Sequence, residues 1–359
     1  MSMLAPAEAT TDVARSLAEE RLREAVESVD APDVVFAHSQ YGLRTVATGG
    51  TGPLPGVPRE ALRYELGSAT KTFTGLLLAE LARQQYVRLD EPAARRLLPP
   101  GPPAYRRGTG ERHRDAITLL HLATHTSGLP RVPHDLIPQA VPKWRTNPYA
   151  AYGRRQLLDA FAGSRPRRAP GSHWWYSNFG VALLGIALSE AAGTHYPQLL
   201  HQRVLAPLGM DRTCLAPQEP GEDATGHGRD GVRELPPFDP GGFTASAGVR
   251  ATPGDLLTYL EAHLRPGATP LPTALTYVRK PLLHTSAGAG RRHTYTLAWT
   301  RHPSPEGCVY FHSGATMGQE AFLGFRPDTG TAVVALATRR YARGRTVVRP
   351  AYRLLTEGI

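Results

Sequence analysis

Residues 65–85 read ELGSATKTFTGLLLAELARQQ: a glycine turn, a serine and a lysine one helical turn apart, then a long apolar helix. Lysine is scarce in this chain. Only Lys71, Lys143 and Lys280 occur, and arginine supplies the rest of the 41 basic residues. With 14 serines and 3 lysines, a Ser-x-x-Lys spacing arises by chance roughly 0.1 times, which makes the pair worth following. Ser68 at the start of a helix places its backbone N–H among donors that favour negative charge, and Lys71 projects from the same face one turn on. An amine with an ordinary pKa near ~10.4 accepts a proton at neutral pH once burial or a neighbouring cation lowers that value; a guanidinium, above ~12, does not. Taken alone, the pair also fits a plain helix cap followed by a solvated lysine.

Working outward, LRYELGS before the helix reads as a short strand ending at Gly67, and DVVFAHSQYGLRTVATGG (residues 33–50) as a β-hairpin. An amphipathic helix over 11–28 opens the chain. From 245 onward one helix precedes strand-like runs, TYTLAWTRH, CVYFHSG and EAFLGFRPDTGTAVVALAT, with a PDTG turn inside the last, and a helix over 346–356 closes the chain. The middle alternates helical pieces with Pro-rich loops, the longest at 98–110 and 129–150. Strands at both ends with helices between them predict an α/β plus α fold: an antiparallel sheet flanked by helices and built from both termini, with an inserted helical domain. The expected division is 1–85 with 245–359 for the sheet domain and 86–244 for the helical one, with the site at their interface.

Two further stretches carry chemistry. APGSHWWYSNFGVALLGIALSEAAG (169–193) supplies Tyr176, Ser177 and Asn178, and VYFHSGATMG (309–318) supplies His312, Ser313 and Gly314. Each has a structural alternative on its own, as a core tyrosine, a helix cap or a strand-end histidine. Together and in this order, Ser-x-x-Lys, Tyr-x-Asn and Lys/His-x-Gly, they resemble the motifs of the serine β-lactamase-like superfamily, in its class C β-lactamase, D-alanyl-D-alanine carboxypeptidase and esterase branch. LLHLATHTSGLP, VLAPLGMDRT and ASAGVRATPGDLLTYL agree with that resemblance, which covers about residues 30–340.

The resemblance implies a β-lactamase/transpeptidase-like fold and acyl transfer through an acyl-Ser68 intermediate, with no metal or cofactor. It assigns Ser68 as nucleophile, Lys71 as activating amine and Tyr176 as general base or acid. Asn178 would hold Lys71 and the substrate amide, His312 and Gly314 would border the substrate, and the backbone N–H groups of Ser68 and Ala315 would form the oxyanion hole. Whether Lys71 or Tyr176 takes the serine proton is left open. Trp174 and Trp175 are candidates for the acyl pocket, with core packing expected for at least one. Histidine at 312, where many relatives carry lysine, gives a weaker and pH-dependent charge, which points away from efficient β-lactam hydrolysis.

The net charge of +10 and pI near 9.8 raise nucleic-acid binding, but RPRR (165–168), RRHT (291–294) and RRYARGR (339–345) lie far apart, and no recognition motif accompanies them. The N-terminus shows no basic stretch followed by an apolar one, no run approaches ~18 apolar residues, and Cys214 and Cys308 have no metal spacing. The expectation is a cytoplasmic enzyme with a small-molecule acyl donor and an amine acceptor as partners, and neither nucleic acid nor membrane. Transfer of an acyl group from an ester or thioester in natural-product biosynthesis is set slightly ahead of hydrolysis, with the loops at 98–110 and 129–150 as a lid. A non-catalytic binding homologue is the remaining alternative.

Overall fold

The computed structural model describes residues 5–99, 108–143, 146–217, 221–286, 292–305, 307–342 and 346–358. Its centre is one eight-stranded sheet. In chain order the strands are β1 (Val34–Gln40), β2 (Leu43–Gly49), β3 (Leu283–Ser286), β4 (Arg292–Tyr295), β5 (Thr300–Ser304), β6 (Gly307–Ala315), β7 (Glu320–Arg326) and β8 (Thr331–Ala337). In space they run β2-β1-β8-β7-β6-β5-β4-β3, each pair antiparallel where its register is resolved. The sheet is therefore built from both ends of the chain, closed where Val34 of β1 pairs with Ala337 of β8. The expected TYTLAWTRH strand is two strands: Thr296 and Trp299 bond to each other across a turn that separates β4 from β5. β3 was not anticipated, because its residues carry no alternating apolar pattern.

Helices cover both faces of this sheet. On the outer face α1 (Ala5–Glu27) and the C-terminal α5 (Val348–Glu357) pack Leu22, Val26, Leu354 and Leu355 against Phe36, Val309, Phe322 and Val333. On the inner face α2 (Thr70–Arg83) and α4 (Pro253–Leu264) meet the alternate residues of the same strands, including Val35, Ala37, Leu323 and Val334. The period of two thus sends neighbouring residues of one strand into two cores.

Between the hairpin and the C-terminal strands, the chain forms short helices around α3 (Asn178–Ala192), which is apolar on nearly every side. Phe179, Leu183, Leu184 and Leu188 are each at most 1% exposed, and burying side chains of this size contributes about 1.5–3 kcal/mol apiece. Ser177 caps α3, its Oγ accepting from the Gly180 amide at 2.9 Å. Residues 129–150 are not one loop: 136–140 are helical, and 141–143 continue as a tighter turn. Most of the 98–110 stretch lies outside the described residues. Among the described residues, no helix is long and apolar enough to cross a membrane.

Candidate active site

Ser68 does not cap a helix. It sits in a 3-10 turn, Gly67–Ala69, that leads into α2, and Ala69 takes the capping position without a side-chain bond. The hydroxyl is thereby left for other partners. It accepts from Lys71 Nζ at 3.1 Å and from Tyr176 OH at 2.6 Å. Lys71 is 2% exposed, and its second bond runs to the backbone carbonyl of Ser246 at 2.8 Å. No carboxylate pairs with it among the described residues. Its ammonium lies 5.0 Å from the centre of the Tyr176 ring, and the exposed Arg131 guanidinium lies 5.2 Å from the same ring.

Burial lowers the Lys71 pKa from its ordinary value, and the charge of Arg131 adds to this, against the pull of Tyr176. Burial works to raise the Tyr176 phenol, but the charge of Lys71, the bond to Ser68 and the charge of Arg131 outweigh it, and the pKa falls. Two histidines border the same space. Burial and then the Lys71 charge bring His312 down to about 4, so it is neutral at pH 7. His125 is lowered well below its ordinary value by burial first, then by Lys71 and His312. His125 Nδ1 accepts from the Ser177 amide at 3.2 Å, which leaves its proton on Nε2. His312 Nδ1 faces the Ser313 carbonyl at 2.7 Å and must donate, which leaves Nε2 as an open acceptor.

Strand β6 ends against the Ser68 turn, and the approach is possible only because glycine stands on both sides. A β-carbon at Gly314 would lie 1.9 Å from the Leu66 carbonyl oxygen and 2.8 Å from the Ser68 nitrogen. One at Gly67, whose φ is +48°, would lie 2.7 Å from the Ala315 nitrogen. The Ser68 and Ala315 amides therefore meet at this crossing. Glu65 fixes both sides of it. Its carboxylate accepts from Thr316 Oγ1 at 2.5 Å, from the Phe238 amide at 2.7 Å and from Arg250 at 3.0 Å, while its own amide donates to Gln319 Oε1 at 2.9 Å.

The cavity so formed has a volume of about 590 Å³ and is lined by Ser68, Lys71, His125, Arg131, Trp174, Tyr176, Tyr295, His312, Gly314, Ala315 and Glu320, among others. Trp174 stacks on Tyr295 at 4.8 Å as one wall. Trp175 points elsewhere and is 63% exposed, so neither tryptophan packs in the core.

Asn178 departs from expectation. Lys71 spends its bonds on Ser68 and Ser246, and Asn178 Oδ1 is buried with no hydrogen-bond partner. Asn178 is the first residue of α3, and its backbone amide donates to the Arg131 carbonyl at 2.9 Å. Sequence reading missed Glu65, His125, Arg131 and the Ser246 carbonyl. The one local sign was that His125 and Ser246 fall inside the stretches THTSG and ASAG. Among the described residues, no group of three or more His, Cys, Asp or Glu side chains is placed to hold a metal ion.

A serine-bearing turn whose hydroxyl meets a buried lysine and a tyrosine, between a two-faced antiparallel sheet and a helical region, is the arrangement of β-lactamase/transpeptidase-like serine enzymes, and comparison with known proteins agrees. Residues 19–357 match the family described as Beta-lactamase, and the chain belongs to that family. A protein of Pseudomonas fluorescens named beta-lactamase is 26% identical over 318 residues, 79% of this chain and 81% of that one. The D-alanyl-D-alanine-carboxypeptidase/endopeptidase AmpH of Escherichia coli K12 is 33% identical over 210 residues, 55% of this chain; the match spans 48% of that longer protein. In fold the chain is similar to a class C β-lactamase (TM-score 0.76, 21% identity, 94% of this chain and 96% of that one). It is equally similar to a β-lactamase/D-alanine carboxypeptidase from Pseudomonas syringae (TM-score 0.76, 22% identity, 96% and 98%).

Proposed function

We propose that the chain cleaves a small ester or amide through an acyl-Ser68 intermediate. The observation that carries this reading is the Ser68 hydroxyl, held at once by a buried amine and a phenol that both lose protons more readily than usual. In this scheme Ser68 Oγ attacks the substrate carbonyl, and its proton enters the Lys71–Tyr176 pair. The oxyanion is met by the Ser68 and Ala315 amides, each such donor contributing about 3–4 kcal/mol in comparable sites. The leaving group departs with a proton from Tyr176, and water then attacks the acyl carbon by the reverse path. His312 and Gly314 border the acyl chain. A neutral His312 offers no fixed charge to the carboxylate of a penicillin, which supports a reading with simple esters and amides ahead of β-lactams.

One observation favours a second reading, in which an amine replaces water and the enzyme transfers an acyl group from an ester or thioester, as natural-product assembly requires. Glu320 lines the cavity directly across from Ala315 in the β6–β7 register, is 4% exposed, accepts from Thr346 Oγ1 at 2.8 Å, and has no basic partner among the described residues. Burial pushes its carboxyl up to about 7, a group ready to ionise when an ammonium arrives.

Intact mass after brief exposure to an active ester tests the first reading. An adduct on the wild type and none on Ser68→Ala is expected, and an equal adduct on both would refute it. The decay of that adduct, with and without a cationic amine, decides between water and amine. Under the transfer reading, Glu320→Gln weakens the amine's effect by about tenfold or more while decay in water alone is unchanged.

A further inference from the structure

The wall that carries Tyr176 has a second side. Trp174 and Tyr176 face the catalytic cavity, whereas His173 and Trp175 line a neighbouring cavity of about 910 Å³, the alternation of an extended chain. The facing segment behaves alike: His125 and Arg131 line the first cavity, Leu129 and Pro130 the second. Bonds from the Gly171 amide to the Thr126 carbonyl (2.8 Å) and from the Trp175 amide to the His125 carbonyl (2.7 Å) join the two segments into one partition.

This second cavity combines an apolar floor with unspent positive charge. Leu129 and Phe179 are each 1% exposed, and Pro133 and Pro166 are buried beside them. The RPRR stretch forms the rim. Arg165 is occupied, bonded to Glu111 at 2.8 Å and to the carbonyls of Ala162 and Ser164. Arg167 and Arg168 are exposed and have no carboxylate partner among the described residues. Asp135, the one acidic residue of the described lining, is taken by Tyr152 OH at 2.8 and 2.9 Å. Two guanidiniums left free at the edge of an apolar cavity suit a phosphate, which they grip in a planar, two-pronged fashion. The indole of Trp175 offers a flat face that aromatic rings stack on. The volume lies within the range of small-ligand sites.

We infer that this cavity binds a nucleotide, its phosphates on Arg167 and Arg168 and its base against Trp175. The nucleotide is either free or the end of a coenzyme A thioester; the recognition chemistry is the same. The inference does not depend on which acyl reaction Ser68 performs.

Titration with ADP, followed by tryptophan fluorescence and by calorimetry, tests it, with coenzyme A, adenosine and inorganic phosphate as parallel probes. Saturable binding of ADP below the millimolar range is expected, with adenosine and phosphate each weaker by about tenfold or more. The Arg167→Ala/Arg168→Ala double variant weakens ADP by a similar factor, while acylation of Ser68 by a small active ester stays within about twofold, showing that the variant is folded. Trp175→Phe removes the fluorescence change. Coenzyme A binding more tightly than ADP identifies a thioester end, and equal binding identifies a free nucleotide; both uphold the site. No ADP binding in the millimolar range, equal binding by the double variant, or phosphate binding as tightly as ADP each overturns it.

Discussion

Two cations in this protein are equally hidden from water and are treated in opposite ways. Arg250 is 3% exposed and meets Glu65 at 3.0 Å, Asp223 at 4.0 Å and the Phe238 carbonyl at 2.6 Å. Lys71 is 2% exposed and meets the Ser68 hydroxyl, the Ser246 carbonyl and the Tyr176 phenol, with no carboxylate partner among the described residues. The first arrangement compensates a buried charge and holds Glu65 beneath the Ser68 turn. The second gives the charge no carboxylate among the described residues, and burial, outweighing the pull of Tyr176, favours loss of the proton. Burial alone therefore does not distinguish a structural cation from a reactive one. The distinguishing feature is whether a carboxylate is present.

If that contrast is right, Lys71→Arg is the most damaging conservative change available. A guanidinium keeps its proton at any accessible pH, so the rate of Ser68 acylation is expected to fall by about 10²–10⁴-fold. Rates of adduct formation by mass spectrometry measure this directly, and a loss of only a few-fold would remove Lys71 from the proton path. The complementary change, Arg250→Met, leaves the Glu65 carboxylate buried without its cation. It is expected to destabilise the fold by about 3–5 kcal/mol in denaturant unfolding. A small effect there would mean that the Thr316 and Phe238 bonds suffice for Glu65, and the contrast with Lys71 would lose its force.

The reactive half of this contrast was legible in the sequence and the structural half was not. Ser68 and Lys71 draw notice by residue type and spacing, a lysine one turn after a serine in a lysine-poor chain, but the roles expected of these two and of Tyr176 come from the resemblance to the serine β-lactamase-like motifs. Glu65, Thr316 and Arg250 are ordinary residues whose meaning comes from segments 185 and 251 positions apart meeting in space. The Ser246 carbonyl is backbone, and no residue identity announces it. Asn178 shows the converse, a suggestive residue type whose Oδ1 is buried without a partner while Lys71 bonds to Ser68 and Ser246 instead. The sheet was readable because β1, β7 and β8 are apolar runs buried on both faces; β3, at the far edge, has no such run.

Burial without a partner also governs a histidine far from the cavity. His38 on β1 is 3% exposed, its Nε2 has no partner, and burial lowers its pKa from 6.5 to about 4. Because the folded value lies below the unfolded one, the unfolded chain binds the proton first as pH falls. Stability present above pH ~6.5 is then lost progressively down to about pH 4, up to roughly 3 kcal/mol from this group. His38→Gln is expected to flatten the acid limb of stability against pH, and an unchanged limb would show that His38 contributes nothing to it.

The smallest effect tests Lys71 from the side of stability. Its folded pKa lies below the ordinary value of 10.5, so between the folded value and 10.5 the unfolded chain holds the proton that the folded chain releases. The wild type is thus penalised as pH falls from 10.5, with the full penalty reached below the folded value. Lys71→Met removes that penalty at similar volume but leaves the Ser246 carbonyl without its donor, which costs about 1 kcal/mol in return. The net gain at pH 7 is expected to be about 1 kcal/mol, from a range of 1–4 for replacing buried charges by apolar groups. It should shrink towards pH 10 and reverse there, as the lost bond alone remains. Unfolding curves at the two pH values decide the matter. A gain that does not depend on pH would place the strain in packing rather than in charge, and an outright loss at pH 7 would mean that Lys71, like Arg250, is adequately compensated where it stands.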